Sequence, residues 1–337
     1  MASGRKKQEK RKSGIATGMG ATQVRTRSMV EGALLAGVTV VLALLGFYIP
    51  FLGLIIVFLW PVPIALIHMR HGLRTSVLTV VVAGLVLMTF VGPVQALVMA
   101  LSFGLVGLAF GISFEKGYPA SKTVILGAIA LLLSFAVSLG ISVIFFGFNL
   151  GQLEAQFREA FQGATEVYRR LGMSAEAIAQ AKKFWDMVLA TFRIIFPAAF
   201  IAAGLFNAFL NFEVSRLVLR RLGYTIAPLP PFEEWRIPRW TVAIYAAGLL
   251  ATSLEKYHGQ KWLSLMGTNV FVFMSLVFMV GGLSLAFHLI SRYDLPKGLK
   301  GVAVVAIFLI APLQQVAVLA GLADAIIDFR SLGEPEV

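Results

Sequence analysis

Residues 75–92, TSVLTVVVAGLVLMTFVG, and residues 94–113, VQALVMALSFGLVGLAFGIS, are two apolar runs joined by a turn at Val91-Gly92-Pro93 that carries no charge. A bilayer core about 30 Å thick takes about 20 apolar residues in a helix, and only helices or closed barrels satisfy their backbone polar groups there. A barrel strand alternates apolar and polar residues over about ten positions. These runs do not alternate, so they read as membrane helices. Working outward, further apolar runs lie at 33–49, 51–68, 122–147, 187–211, 240–253, 264–290 and 301–323. The expected fold is all-α, a polytopic transmembrane helical bundle with eight or nine crossings. Segment 240–253 is short. Segment 301–323 is interrupted by Pro312, with Gln314 and Gln315 beside the break, so these two leave the count and the side of the C-terminus open.

Composition agrees with that reading. Apolar residues make up 58% of the 337 and charged ones 14%, against about 25% charged in an average soluble domain. There is no cysteine, which excludes a disulfide framework, a thiolate metal site and a cysteine nucleophile. The formal charge of +12 is concentrated at the start, where residues 1–30 carry a net of +7. Those residues hold few large apolar side chains and are expected to form a disordered basic tail. Under the positive-inside rule the tail is cytoplasmic and touches anionic lipid, and no specific nucleic-acid partner is expected. From that start, basic loops at Arg70–Arg74, Glu115–Lys122, Glu213–Arg239 and Arg292–Lys300 all fall inside. The protein is thus expected in a membrane with its N-terminus cytoplasmic, with a transmembrane domain over 31–331 and a short tail over 332–337.

Two loops carry structure of their own. Over 150–171 apolar residues recur at three- and four-residue steps opposite a charged face, an amphipathic helix. Gly172 ends it, and Ser174 is placed to cap a second helix that continues into the sixth crossing. The result is an external hairpin over 148–186, either an interfacial cap or a lid. On the inside, a helix from Glu213 ends at Gly223. The Pro-rich stretch to Pro238 then runs extended, as a tether or a docking surface within the loop 213–239.

No catalytic motif is present, and no enzyme activity, cofactor or metal site is expected. His68, His71, His258 and His288 lie near membrane edges without acidic partners at ligand spacing. The residues that stand out are polar groups at membrane depth, which are costly in hydrocarbon and usually face a bundle interior or a wet cavity. Gln95, Asn149, Arg193 and Asn269 fall toward the outer side, and Gln314 and Gln315 fall near the middle. With Tyr48 and Trp60 as walls they are candidates for a shared solute site, although single helix–helix hydrogen bonds account for them equally well. On the first helix Gly32, Ala36 and Val40 recur every fourth residue, as do Ala33 and Gly37. Such a flat face admits a close neighbouring helix, within the chain or from a second protein.

The stretches Glu31–Ala36, Tyr48-Ile49-Pro50, Pro61-Val62-Pro63-Ile64 and Arg70-His71-Gly72 resemble the opening of the YybS-like family of bacterial membrane proteins. Pro231–Pro238 and Gly321–Arg330 resemble its later landmarks, so the likeness covers about residues 25–331. The N-terminal half of that family is similar to the substrate-binding S components of energy-coupling-factor transporters. That resemblance implies a first helix packed on a transmembrane coupling protein and a solute held toward the outer face. Gly32 and Ala36 match the small-residue helix, whereas Val40 departs from it. The chain also exceeds a six-helix S component by the hairpin and the C-terminal segments. The leading reading is a transport-type protein that binds a small polar solute. The alternative is a non-transporting scaffold or regulatory partner.

Overall fold

The computed structural model describes residues 26–147, 150–258 and 260–331. Most of the basic tail, Asn149 and the tail 332–337 therefore lie outside the described residues. The rest is helical: α1 Thr26–Tyr48, then α2 Pro50–Ile56, α3 Pro61–Val91, α4 Pro93–Glu115, α5 Ala120–Phe146, α6 Leu150–Arg170 and α7 Ala175–Arg221. After one short 3-10 turn at Phe232–Glu234 come α8 Trp240–His258, α9 Lys261–Arg292, α10 Gly298–Leu309 and α11 Ala311–Ile327. Helix α1 begins within the stretch assigned to the tail.

Local chemistry sets most of these boundaries. Pro50, Pro61 and Pro93 open α2, α3 and α4, where a missing N–H costs nothing. Glycines in the left-handed region end helices at Gly147 (φ +61°), Gly172 (φ +79°) and Gly223 (φ +91°). The Ser174 hydroxyl accepts a hydrogen bond from the Ala177 N–H at 3.2 Å, the cap expected from sequence. Helix α7 has 47 residues, roughly 70 Å at 1.5 Å per residue. It joins the second arm of the hairpin, a membrane segment and the helix expected from Glu213.

Among the described residues six helices are long and apolar enough to cross a bilayer, seven if the pair α10–α11 is one bent span. The expectation of eight or nine differs from that count at three places. The 41-residue stretch Phe51–Val91 enters it once, yet Gly72 (φ +76°) interrupts the helix. On α4, Gly107 meets Ile64 and Gly111 meets His68, the numbers rising together. Gly104 meets Val80 and Gly84 meets Ala100, one number rising as the other falls. The two arms of α3 thus lie on α4 in opposite directions, and the chain reverses at Gly72. The second place is α8, whose apolar part, Trp240–Leu254, is short. The third is the α10–α11 pair, which bends by 111°.

The chain forms two compact units, Met1–Phe148 with Gly204–Pro228, and Asn149–Ala203 with Leu229–Val337. In the first, Ala36, Val40 and Ala43 of α1 are buried with Ile64, Ala83 and Leu87 of α3 and Ala96, Met99 and Phe103 of α4. Small residues make this approach close, since a Cβ on Gly107 would stand 2.7 Å from Ile64 Cβ. In the second, Phe278, Val318 and Ala325 form the core. There α9 and α11 touch through backbone, because a Cβ on Gly282 or Gly321 would strike the carbonyl of Ala317 or Phe278.

Candidate functional site

Within the first unit a cavity of about 500 Å³ opens between α4, α5 and the C-terminal half of α7, with Val57, Trp60 and Pro61 on one side. Its polar groups come in helical register. Ser134, Ser138 and Ser142 recur every fourth residue on α5, Asn207 and Asn211 do so on α7, and Ser102 reaches in from α4. A four-residue step returns to the same helix face, so each set presents a polar stripe. Phe103, Val106 and Leu139 supply apolar wall. Among the described residues that line it, none is ionisable.

The hydrogen bonds of the lining are unevenly distributed. Ser102 donates to the Val98 carbonyl at 2.9 Å and Ser142 to the Ser138 carbonyl at 2.9 Å, the usual way a serine is satisfied in an apolar helix. Ser134 donates across to Ser102 Oγ at 3.3 Å. Asn211 Nδ2 donates to the Asn207 carbonyl at 3.0 Å and to Asn207 Oδ1 at 2.6 Å. Ser138 Oγ and Asn211 Oδ1 are buried with no partner among the described residues. An unpaired buried polar atom costs about 1–3 kcal/mol, so two of them on one cavity need a reason.

Of the sequence candidates, Trp60 lines this cavity and donates its indole N–H to the Leu42 carbonyl at 3.3 Å. Tyr48 is exposed and donates to the Phe90 carbonyl at 2.9 Å, tying the end of α1 to the end of α3. Gln95 is exposed at the start of α4. The other described candidates, Arg193, Asn269, Gln314 and Gln315, belong to the second unit. Asn269 repairs α7: its Oδ1 accepts from the Ala198 N–H at 2.9 Å and its Nδ2 donates to the Ile194 carbonyl at 2.8 Å. Those two backbone groups would pair with each other in a regular helix, and Pro197 stands between them. Gln314 donates to the Phe308 carbonyl at 3.2 Å, covering the break before α11. Arg193 and Gln315 are exposed. On α1, Gly32, Ala36 and Val40 are buried against the chain's own helices, whereas Ala33 and Gly37 are exposed. The serine and asparagine stripes were missed; their four-residue repeat in apolar runs was the available signal.

Two charged assemblies flank the apolar parts. In the first unit Glu31 holds Arg27 at 3.0 Å, Arg70 at 3.3 Å and His71 at 2.9 Å, and Arg70 Nε donates to the Tyr224 hydroxyl at 3.0 Å. His68 lies between Ser76 at 3.1 Å and Glu115 at 2.9 Å. In the second unit Arg330, nearly buried, bonds Asp324 Oδ2 at 3.1 Å, the Glu233 carbonyl at 2.6 Å and Ser284 Oγ at 3.1 Å. The Glu233 carboxylate accepts from Lys300 and Ser291, both at 2.6 Å. The Lys300 ammonium, with the Ser291 hydroxyl, holds the Glu233 carboxyl below the usual carboxylate range. Phe232 packs edge-on to Phe287 at 5.2 Å. The two late landmarks of the sequence, Pro231–Pro238 and Gly321–Arg330, thus meet and lock the Pro-rich loop to α9 and α11. Among the described residues no group of three or more His, Cys, Asp or Glu converges as a metal site would require.

Comparison with known proteins agrees with the membrane fold. The chain is 28% identical over 282 residues to a Bacillus subtilis (strain 168) protein described as "Uncharacterized protein YybS", covering 83% of this chain and 90% of that one. No solved structure matches. The profile of a family described as "Predicted membrane protein (DUF2232)" matches residues 37–325. That match spans most of the apolar helices, the Gly72 reversal and the Glu233, Ser284 and Asp324 partners of Arg330, and the chain therefore belongs to the DUF2232 family of predicted membrane proteins.

Proposed function

We propose that this chain is a transport-type membrane protein that binds a small polar solute in the cavity between α4, α5 and α7. The observation that carries the reading is the pair of buried groups, Ser138 Oγ and Asn211 Oδ1, that have no partner and no charged lining residue beside them among the described residues. A cavity of this size with a few convergent polar groups is the usual form of a small-molecule site. The reading extends the resemblance of the N-terminal half to S components, with Ala33 and Gly37 as the exposed small-residue face for a membrane partner. The N-terminus and the short basic loops face the cytoplasm of a bacterial cell in this account.

The scaffold alternative is less well supported, because Glu233 is spent on Lys300 and Ser291 and Phe232 packs on Phe287 within the unit. Purified protein screened by thermal shift against vitamins, nucleobases and other small polar solutes should be stabilised by at least one compound. That stabilisation should be absent in Asn211→Leu. No stabilising compound, together with no co-purifying ATPase partner, would contradict the reading.

A further inference from the structure

The hydrogen-bond accounting inside the cavity restricts what can be bound there, an inference that rests on the solute-binding reading above. The Asn211 carboxamide has one possible orientation. Its near neighbour at 3.0 Å is the Asn207 backbone carbonyl, which only accepts, so the NH2 group must face it. The reversed amide would set two oxygens against each other. Asn211 Oδ1 is therefore left without a partner, on a residue 2% exposed that lines the cavity. This atom accepts and never donates.

The serines are equally informative. Ser102 and Ser142 give their protons to their own helices, and Ser134 gives its proton to Ser102. Ser138 breaks the pattern, since its hydroxyl is bonded to nothing among the described residues and can both donate and accept. The buried lining atoms with no partner at all are thus one acceptor on α7 and one donor–acceptor on α5, beside the Asn207 NH2 group and the spare lone pairs of Ser134 and Ser142. With no ionisable side chain among the described lining residues, an ion entering the site would lose its hydration without gaining a countercharge from them.

We propose that the cavity selects an uncharged solute that presents an N–H or O–H donor to Asn211 Oδ1 and a second polar atom to Ser138 Oγ. Amide, lactam and urea edges have this form. The remainder of the molecule lies against Trp60 and Phe103, which line the same space.

Three matched probes test the rule on the full chain in nanodiscs, with binding followed by ligand-observed NMR: uracil, its N,N′-dimethyl derivative, and orotate. Uracil offers N–H donors without charge, the dimethyl derivative lacks the donors, and orotate adds a carboxylate. Uracil should bind saturably, the dimethyl derivative about tenfold more weakly or worse, the worth of one lost hydrogen bond, and orotate also at least about tenfold more weakly, because its carboxylate loses hydration without a countercharge. Asn211→Leu should reduce uracil to the level of the dimethyl derivative without lowering the unfolding temperature. Ser215→Ala, which removes an unpaired buried hydroxyl that does not line the cavity, should leave binding unchanged. Dimethyluracil binding as well as uracil overturns the donor rule. Orotate binding best, and losing that binding in Asn211→Leu, overturns the uncharged class while the cavity stands. If no probe responds to Asn211→Leu, both the rule and the solute-binding reading fall.

Discussion

Arg330 sits with 1% of its side chain exposed, 3.1 Å from an Asp324 carboxylate that is 7% exposed. Removing one partner of a buried pair leaves the other charge uncompensated, which costs about 3–5 kcal/mol. Arg330→Met should therefore lower the unfolding temperature of the purified protein sharply, and Asp324→Leu added to it should recover part of the loss. Glu233 gives a pH prediction nearby. Its carboxyl is depressed by Lys300 and Ser291, so its contribution to stability is complete above the ordinary carboxylate range. That contribution is lost as the pH falls through the lowered value. Lys300→Gln should remove much of it, and the acid limb of unfolding temperature against pH should flatten. Equal acid limbs for the two proteins would contradict the assignment. Asn269 acts through hydrogen bonds alone. Asn269→Leu strands the Ala198 N–H and the Ile194 carbonyl and should cost about 1–3 kcal/mol.

Among elements, the α9–α11 crossing depends on bare backbone. A Cβ at Gly321 would strike the Phe278 carbonyl oxygen, and overpacking of this kind costs about 1–3 kcal/mol or more. Gly37 on α1 has nothing within 4 Å of the same position. Gly321→Ala should destabilise the protein, whereas Gly37→Ala should be neutral or stabilise it by about 0.5–1 kcal/mol through helix propensity. Thermal unfolding of the two variants checks the contrast. The sequence shows both glycines alike, as small residues in apolar helices, and only the packing separates them. The same limit applies to the candidate site. Trp60 was legible as an amphipathic ring in an apolar run. Gln314 and Asn269 stood out because amides are rare at that depth, yet they answer breaks in the backbone at Ile310 and Pro197. Serine raises no comparable signal, since it can bond its own helix, and the exception at Ser138 is visible only in three dimensions.

On the scale of the whole molecule, hydropathy was enough for the all-α membrane fold, because a lipid-exposed backbone must close its own hydrogen bonds. The crossing count was less legible, since a reversal at one glycine and a 111° bend at Ile310 carry no unique composition. Orientation rests on the basic loops and can be tested directly because the chain has no cysteine. In intact cells a membrane-impermeant maleimide should label Lys182→Cys on the hairpin and spare Lys116→Cys, which follows α4. The reverse pattern would invert the topology. The central claim, that a polar solute reaches the cavity, is tested most directly by the same cysteine-free background. Ser138→Cys and Ala83→Cys would be exposed to a small water-soluble methanethiosulfonate reagent in nanodiscs; Ala83 is fully buried in the core of the same unit. Thiol reactivity requires water to support the thiolate. Ser138→Cys should be modified while Ala83→Cys is not, and Ser138→Cys as inert as Ala83→Cys would contradict entry of a polar solute.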